Sequence, residues 1–429
     1  MTKDKFFREC ISDNDNELVI YTADNFPQFP QRDTLVASKC DRTLAAAHSN
    51  DLVVLRGKLD TDYHHWLRSF GLGSDFVVAY GADKTGLTLS ELIINNPEPI
   101  KKIIQKTGRK PVYVPWFSSQ KENDAAKVLG AEFFGSPESE TLRYNDKASF
   151  KIICQELDIP VIEGVSFEMQ PQKNENYTLM KTIVDGYLTS YKNVIIRGTL
   201  GESGMSLYKT NGNDLADIYK EISDCSEKIV LIEPFLNVSS SPNDQWIIGR
   251  NGDISHLGMR AQICKEGMIH MGTISELKIS ASDSKHIKES SLKIAKRMRD
   301  TGYVGVIGVD YIVSDEGVYP VENNARFNGS SYTIMIVEQI EKLIMPIPVW
   351  KFIKIKTTPC SFKELKDKLK SAIFNGVNKQ SIFPYNCDLL NETGNFSVLL
   401  LAENFAQIAG LEDRVRCLQF DREQSASKS

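Results

Sequence analysis

The chain has 429 residues, 41% of them hydrophobic and 25% charged, enough to bury sizeable cores in about three domains of roughly 150 residues each. Lys and Arg number 51 against 56 Asp and Glu, a net charge of -5, so no excess positive charge is present for coating nucleic acid. No apolar run of about 18 residues occurs, which excludes a membrane-spanning helix.

The 8 cysteines are scattered without a CxxC pair, and the 6 histidines show no metal-ligand spacing. The opening stretch MTKDKFFRECISDNDNE lacks the apolar region of a secretory signal. Reduced thiols and a cytoplasmic location are expected.

In residues 1–140 short apolar runs alternate with helical pattern. Leu18–Tyr21, Leu52–Leu55, Phe76–Ala79 and Val112–Val114 read as strands. Ser90–Asn95, Glu98–Lys106 and Glu122–Leu129 read as helices. This alternation predicts an open α/β layer. Beyond residue 140, Asp146 is placed to cap a helix with Phe150, Ile153 and Leu157 on one face. Strands follow at Val194–Arg197 and Ile229–Glu233. A hairpin then joins Gln245–Ile248 to Ile254–Met259 through Asn251-Gly252. A helix over Ser284–Arg299 carries Ile287, Ser291, Ile294, Ala295 and Met298 on one side, with Gly302 to stop it. Residues 346–429 read as a smaller α/β segment, with a helix at Phe362–Phe374 and a strand at Phe396–Ala402.

The sharpest chemical signal is a second hairpin, Val306–Val313 with Val318–Asn323, turning within Ser314-Asp315-Glu316-Gly317. Asp310 and Glu322 are equidistant from residue 316 and so are expected to face each other. Like charges directly opposite destabilise a sheet, and a compensating cation is implied. Alternation puts Glu322, Asn324 and Arg326 on one face. Hard oxygen ligands of this kind suit Mg²⁺, above all when phosphate oxygens complete the shell. Arg326 would reach those phosphates as a forked donor.

Weaker signals surround it. Arg197 ends an apolar strand, and the glycine loop Gly201-Glu202-Ser203-Gly204 follows, a pattern whose N–H groups cradle phosphate. The strand ending Glu233-Pro234-Phe235-Leu236 offers an edge to adenine. Pro234 has no N–H, so the donor must be Phe235 or Leu236. Asp244 could accept from ribose hydroxyls. Arg260, on the next strand, could stabilise negative charge in a transition state. Ser330 reads as the N-cap of a helix beginning near Tyr332, a ready site for carboxylate or phosphate.

In this order the pieces resemble the ATP-grasp superfamily, over about residues 141–345. The resemblance implies an α/β architecture of three parts: an open pre-ATP-grasp domain (1–140), a two-lobed nucleotide-binding domain (141–345) and a small C-terminal domain (346–429). It implies that Lys147, Arg197 and the glycine loop hold the phosphates of ATP. Arg197 stands where the family usually has lysine. Glu233, Phe235 and Leu236 would border adenine and Asp244 the ribose. Asp310, Glu322 and Asn324 would bind two Mg²⁺, for which Mn²⁺ could substitute, and Arg260 and Arg326 would hold the γ-phosphate or an acyl phosphate.

The layout is similar to that of pheganomycin-type peptide ligases, which implies an ADP-forming ligase joining a carboxylate to an amine. Three alternatives to a small amine acceptor stay open at this level: transfer of an amino acid such as glutamate to the thiol of an acyl carrier protein in antibiotic biosynthesis, phosphotransfer, and a non-catalytic nucleotide-binding scaffold; the oligomeric state is open too, with a homodimer the default. A carrier protein would favour a basic patch, and Lys293, Lys296, Arg297 and Arg299 form the only dense basic run.

Overall fold

The computed structural model describes residues 5–24, 40–81, 86–199, 206–225, 228–265 and 269–426. The first sheet is parallel and contains β1 (Glu17–Thr22), β2 (Leu52–Leu55), β3 (Phe76–Ala79), β4 (Lys110–Pro115) and β5 (Glu132–Phe133). Their order is β3-β2-β1-β4-β5. Leu18, Val19, Ile20, Val53 and Val54 are fully buried, as the unbroken apolar runs of a sheet covered on both faces require. The strand order reverses at β1, which pairs with β2 on one side and β4 on the other. β5 has two residues, too few for a readable pattern.

The second sheet is antiparallel: β6 (Val165–Glu168), β7 (Val194–Gly198), β8 (Leu207–Thr210) and β9 (Ile229–Pro234), in the order β6-β9-β7-β8. Met180 and Val184 from the Asn174–Leu188 helix, and Leu215, Ile218 and Ile222 from the Leu215–Asp224 helix, close its core against Val194, Ile196, Val230 and Ile232.

The third sheet has nine strands and contains Asp310 and Glu322. Its strands are β10 (Val238–Ser240), β11 (Pro242–Ile248), β12 (Ile254–Lys265), β13 (Ile269–Ile274), β14 (Gly305–Ser314), β15 (Gly317–Asn324), β16 (Val349–Lys356), β17 (Ser381–Tyr385) and β18 (Asn395–Ala402). They run β10-β14-β11-β12-β13-β16-β18-β17, with β15 on β14. The Ala281–Asp300 helix covers one face, and Ile287, Ser291, Ile294, Ala295 and Met298 are all buried. Gly302, at φ +87°, turns the chain out of that helix.

Residues 349–402 add β16, β17 and β18 to this same sheet through β13. The carboxy-terminal segment thus shares its sheet with the β14–β15 hairpin, and one core cluster runs from Leu18 and Val53 to Leu399 and Leu400. The helix expected to start near Tyr332 starts at Gly329 instead. Asn328, not Ser330, is its cap, bonded reciprocally with Ser331. Among the described residues no helix is long and apolar enough to cross a membrane.

Candidate active site

Asp310 on β14 and Glu322 on β15 are paired across the hairpin, as expected, though by a different construction. Ser314 pairs with Gly317 around a two-residue turn, a register that on its own would set Asp310 against Val321. A bulge between the Asp310 and Tyr311 pairs inserts Val321 and moves Glu322 opposite Asp310. Glu322, Asn324 and Arg326 then share one face. The intervening Asn323 points the other way, its amide donating to Met298 Sδ under the covering helix.

A shell of amides holds Asp310. Asn243 Nδ2 and Gln262 Nε2 donate to its Oδ1 at 2.6 and 2.7 Å, and Asn324 Nδ2 donates to its Oδ2 at 3.0 Å. Gln245 Nε2 donates to Asn243 Oδ1 at 2.8 Å. Gly308, two residues before Asp310, leaves room for the Asn328 side chain; a Cβ there would come within 2.3 Å of it. Burial, reinforced by the Glu322 charge, pushes the Asp310 carboxyl up to about 7.

The cations arrive from the neighbouring elements. Asp146 caps the Lys147–Glu156 helix by accepting from Ser149 N at 2.7 Å. That fixes Lys147 in the first turn, where its Nζ reaches Glu322 Oε1 at 3.2 Å. Its backbone N–H donates to Thr199 O at 2.9 Å, tying the helix to the end of β7. Arg197 donates to Glu233 Oε2 at 2.6 Å and to the bulged Val321 carbonyl at 2.9 Å. Lys151 takes the other Glu233 oxygen at 2.7 Å. Glu233 is 1% exposed and needs both partners, since an unpaired carboxylate at that depth would be strongly destabilising.

The adenine edge and the ribose site depart from expectation. The Phe235 N–H donates to Asn193 O at 2.9 Å, so of the two candidate donors Leu236 is the one not committed there. Lys209 Nζ sits 4.0 Å from the Phe235 ring centre. Asp244 is not placed as a ribose acceptor. It alternates with Asn243 along β11 and therefore lies on the opposite face, with 0% exposure. Trp246 Nε1 donates to it at 2.8 Å, and His256 Nε2 lies 2.7 Å away. Gly201, Glu202, Ser203 and Gly204 lie outside the described residues.

Arg260 shares the Asp310 face through the alternation with Gln262. Its guanidinium donates only to the Gly258 and Leu257 carbonyls, at 3.2 and 3.1 Å, and packs 5.7 Å from the Trp350 ring centre. Burial lowers its pKa to about 10, with the Asp244 charge opposing. Arg326 donates to Asn324 and to Asn145 Oδ1, the latter at 3.3 Å, and packs on Trp116. The basic run on the covering helix is partly neutralised: Arg297 pairs with Glu156 and Arg299 with Asp300.

The donor set fits hard divalent cations. Two carboxylates face each other, an amide stands beside them, and burial together with the Glu322 charge raises the Asp310 carboxyl to about 7 against the opposing Arg326 charge. Among the described residues no group of three or more His, Cys, Asp or Glu is placed to hold a metal ion, and Asn324 is the side chain that adds an amide to the Asp310–Glu322 pair. Sequence reasoning missed Asn145, Lys151, Asn243, Gln245 and Gln262. Only Lys151 carried a signal, one helical turn after Lys147.

No family model and no curated protein matches the sequence. Solved structures do. A biotin carboxylase complex from Campylobacter jejuni aligns with a TM-score of 0.61 at 16% identity, over 93% of this chain and 90% of that one. The biotin carboxylase domain of the Hydrogenobacter thermophilus 2-oxoglutarate carboxylase, solved with MgADP, ADP and bicarbonate, gives 0.59 at 14% over 94% and 89%. An N5-carboxyaminoimidazole synthetase from Staphylococcus aureus gives 0.56 at 12% over 93% and 97%. These neighbours are ATP-grasp enzymes, and the alignments span nearly all of each chain. The chain therefore has the ATP-grasp fold from its first sheet to its last.

Proposed function

We propose that the protein is an ATP-dependent, ADP-forming ligase that activates a carboxylate, of an amino acid or a peptide, and joins it to an amine. The observation that carries this reading is the opposed Asp310–Glu322 pair, set among amide donors and beside Lys147. Such a pair is costly unless cations occupy it. The neighbour solved with MgADP supports MgATP as the nucleotide.

Asp310, Glu322 and Asn324 would hold Mg²⁺, which supplies charge neutralisation for the triphosphate. The amide shell keeps Asp310 in place, so its carboxylate need not reorganise as charge moves. Lys147 lies against Glu322 and is positioned to follow the phosphate charge. Arg260 donates to carbonyls alone, and exchanging those weak bonds for an oxyanion is favourable. Arg326 would take the other side. The substrate carboxylate would attack the γ-phosphorus, giving an acyl phosphate and ADP. The amine would then attack the acyl carbon and expel phosphate. The chain contributes positioning and charge neutralisation.

Two features weigh the alternatives. The paired Arg297 and Arg299 leave a weak basic face for an acidic carrier protein, which favours a small amine over a carrier thiol. The complete ligand set argues against a scaffold without turnover. The pheganomycin-type layout is kept as part of the proposal, and the test addresses the activity it implies. Purified protein is incubated with MgATP and a mixture of the amino acids, and ADP, AMP, phosphate and product masses are resolved. ADP that depends on an added carboxylate, with a dipeptide mass, supports the reading. AMP formation would overturn it.

A further inference from the structure

We propose that Arg42, set between Trp116 and Tyr332, binds a carboxylate of the non-nucleotide substrate. This rests on the ligase reading above and names what the amino-terminal domain contributes to it.

Three independent features meet at this point. The first is topological. In open parallel sheets the ligand crevice lies at the carboxyl ends of the strands where the order reverses. Here the reversal lies between β1 and β4, whose chains continue into Ala23 and Trp116. Arg42 stands there, its Nη2 donating to Ala23 O at 2.9 Å.

The second is the guanidinium itself. Arg42 is 7% exposed, yet no salt bridge to it occurs among the described residues. Its Nε has no hydrogen-bond partner. Rings hold it, with its Cζ 4.6 Å from the Tyr332 centre and 5.5 Å from the Trp116 centre, and the Tyr332 hydroxyl also accepts from its side chain. Stacking fixes the plane of a guanidinium while leaving its edge donors in place for a planar anion.

The third is continuity with the metal hairpin. Arg326 packs on the same Trp116 ring at 5.4 Å, and the Phe327 N–H donates to Trp116 O at 3.1 Å. Tyr332 lies in the first turn of the helix that begins at Gly329, whose Ser331 Oγ donates to Gln245 Oε1 at 2.9 Å. One aromatic wall therefore joins the carboxyl end of the first sheet to the side chains around Asp310. A substrate held at Arg42 would extend along that wall toward Arg326. The paired donors of Arg42 suit a carboxylate, and the rings on either side suit an apolar or aromatic group attached to it.

The test is calorimetric and does not depend on turnover. Wild type, Arg42→Met and Arg42→Lys are each loaded with MgADP and titrated with the amino acids, with the corresponding carboxamides, and with inorganic phosphate. The expected result is that wild type binds at least one amino acid and rejects its carboxamide. Arg42→Met should lose at least tenfold in that affinity, and Arg42→Lys should lose less. MgADP affinity should stay within twofold in all three, which also shows that the variants are folded. Equal binding of acid and carboxamide by wild type, or unchanged acid affinity in Arg42→Met, would overturn the proposal. Arg42-dependent binding of phosphate in place of any carboxylate would overturn it as well. Failure of all three proteins to bind MgADP would instead count against the ligase reading, while the carboxylate titrations would still decide Arg42.

Discussion

Asp310 and Glu322 stand opposite one another because a single bulged residue, Val321, separates them from a tight two-residue turn. The same bulge turns the Val321 carbonyl toward Arg197, which donates to it at 2.9 Å while also holding Glu233. The β14–β15 hairpin and the strand β9 that ends in Glu233-Pro234 are thus joined through one guanidinium. A bulge beside a site re-aims side chains; here it also supplies an acceptor.

That double duty makes Arg197 hard to replace. A lysine has no fork and would satisfy either Glu233 Oε2 or the Val321 carbonyl, leaving the other without the donor Arg197 supplies. Arg197→Lys should weaken MgATP binding by more than tenfold, above about 1.4 kcal/mol, and lower the unfolding midpoint. Calorimetry and thermal unfolding check both. Wild-type affinity in the variant would mean that charge alone matters there.

Asp244 serves stability. Its carboxylate is fully buried beneath Trp246 and His256, on the far face of β11 from Asn243. Asp244→Ala should destabilise the fold by about 1–3 kcal/mol, the usual cost of stranding buried polar partners. MgATP affinity should change by less than twofold. Loss of nucleotide affinity with an unchanged melting temperature would restore the ribose role.

Glu122 gives a pH signature. It is buried against Ser90 Oγ at 2.7 Å and Tyr113, and burial pushes its pKa up to about 7 from an ordinary 4.5. A carboxyl raised in the folded state favours folding while protonated. Its contribution is complete below about pH 4.5 and is lost as pH rises through about 7. Glu122→Gln keeps the neutral form throughout. Measured as a difference from wild type, the variant should gain stability between pH 4.5 and 8, on the order of a few kcal/mol. A pH-independent difference would contradict the assignment.

The hairpin was legible because its signals are local: alternating side chains, turn residues at Asp315 and Glu316, and carboxylates in an apolar run. The first sheet was legible for the same reason, since β1, β2, β3 and β4 are unbroken apolar stretches. The amide shell was not. Asn243, Gln245 and Gln262 meet Asp310 only through the strand order β14-β11-β12, a non-local pairing that no spacing records. Asp244 shows the sharper limit. Strand alternation sends neighbours to opposite faces, so a one-residue choice between Asn243 and Asp244 decides cleft or core. Both are polar, and only the register on β14 distinguishes them. Arg42 and Trp116 were missed because their meeting depends on where the first sheet reverses.

The central claim is that the Asp310–Glu322 pair holds the cations on which nucleotide chemistry depends. Glu322→Gln is nearly isosteric and removes only the charge. The most direct measurement is ADP formation by this variant beside wild type with MgATP and the amino-acid mixture, with thermal unfolding as the control for folding. The account predicts an intact fold and a loss of at least about a thousandfold in rate, about 4 kcal/mol. ADP formation near the wild-type rate would contradict it.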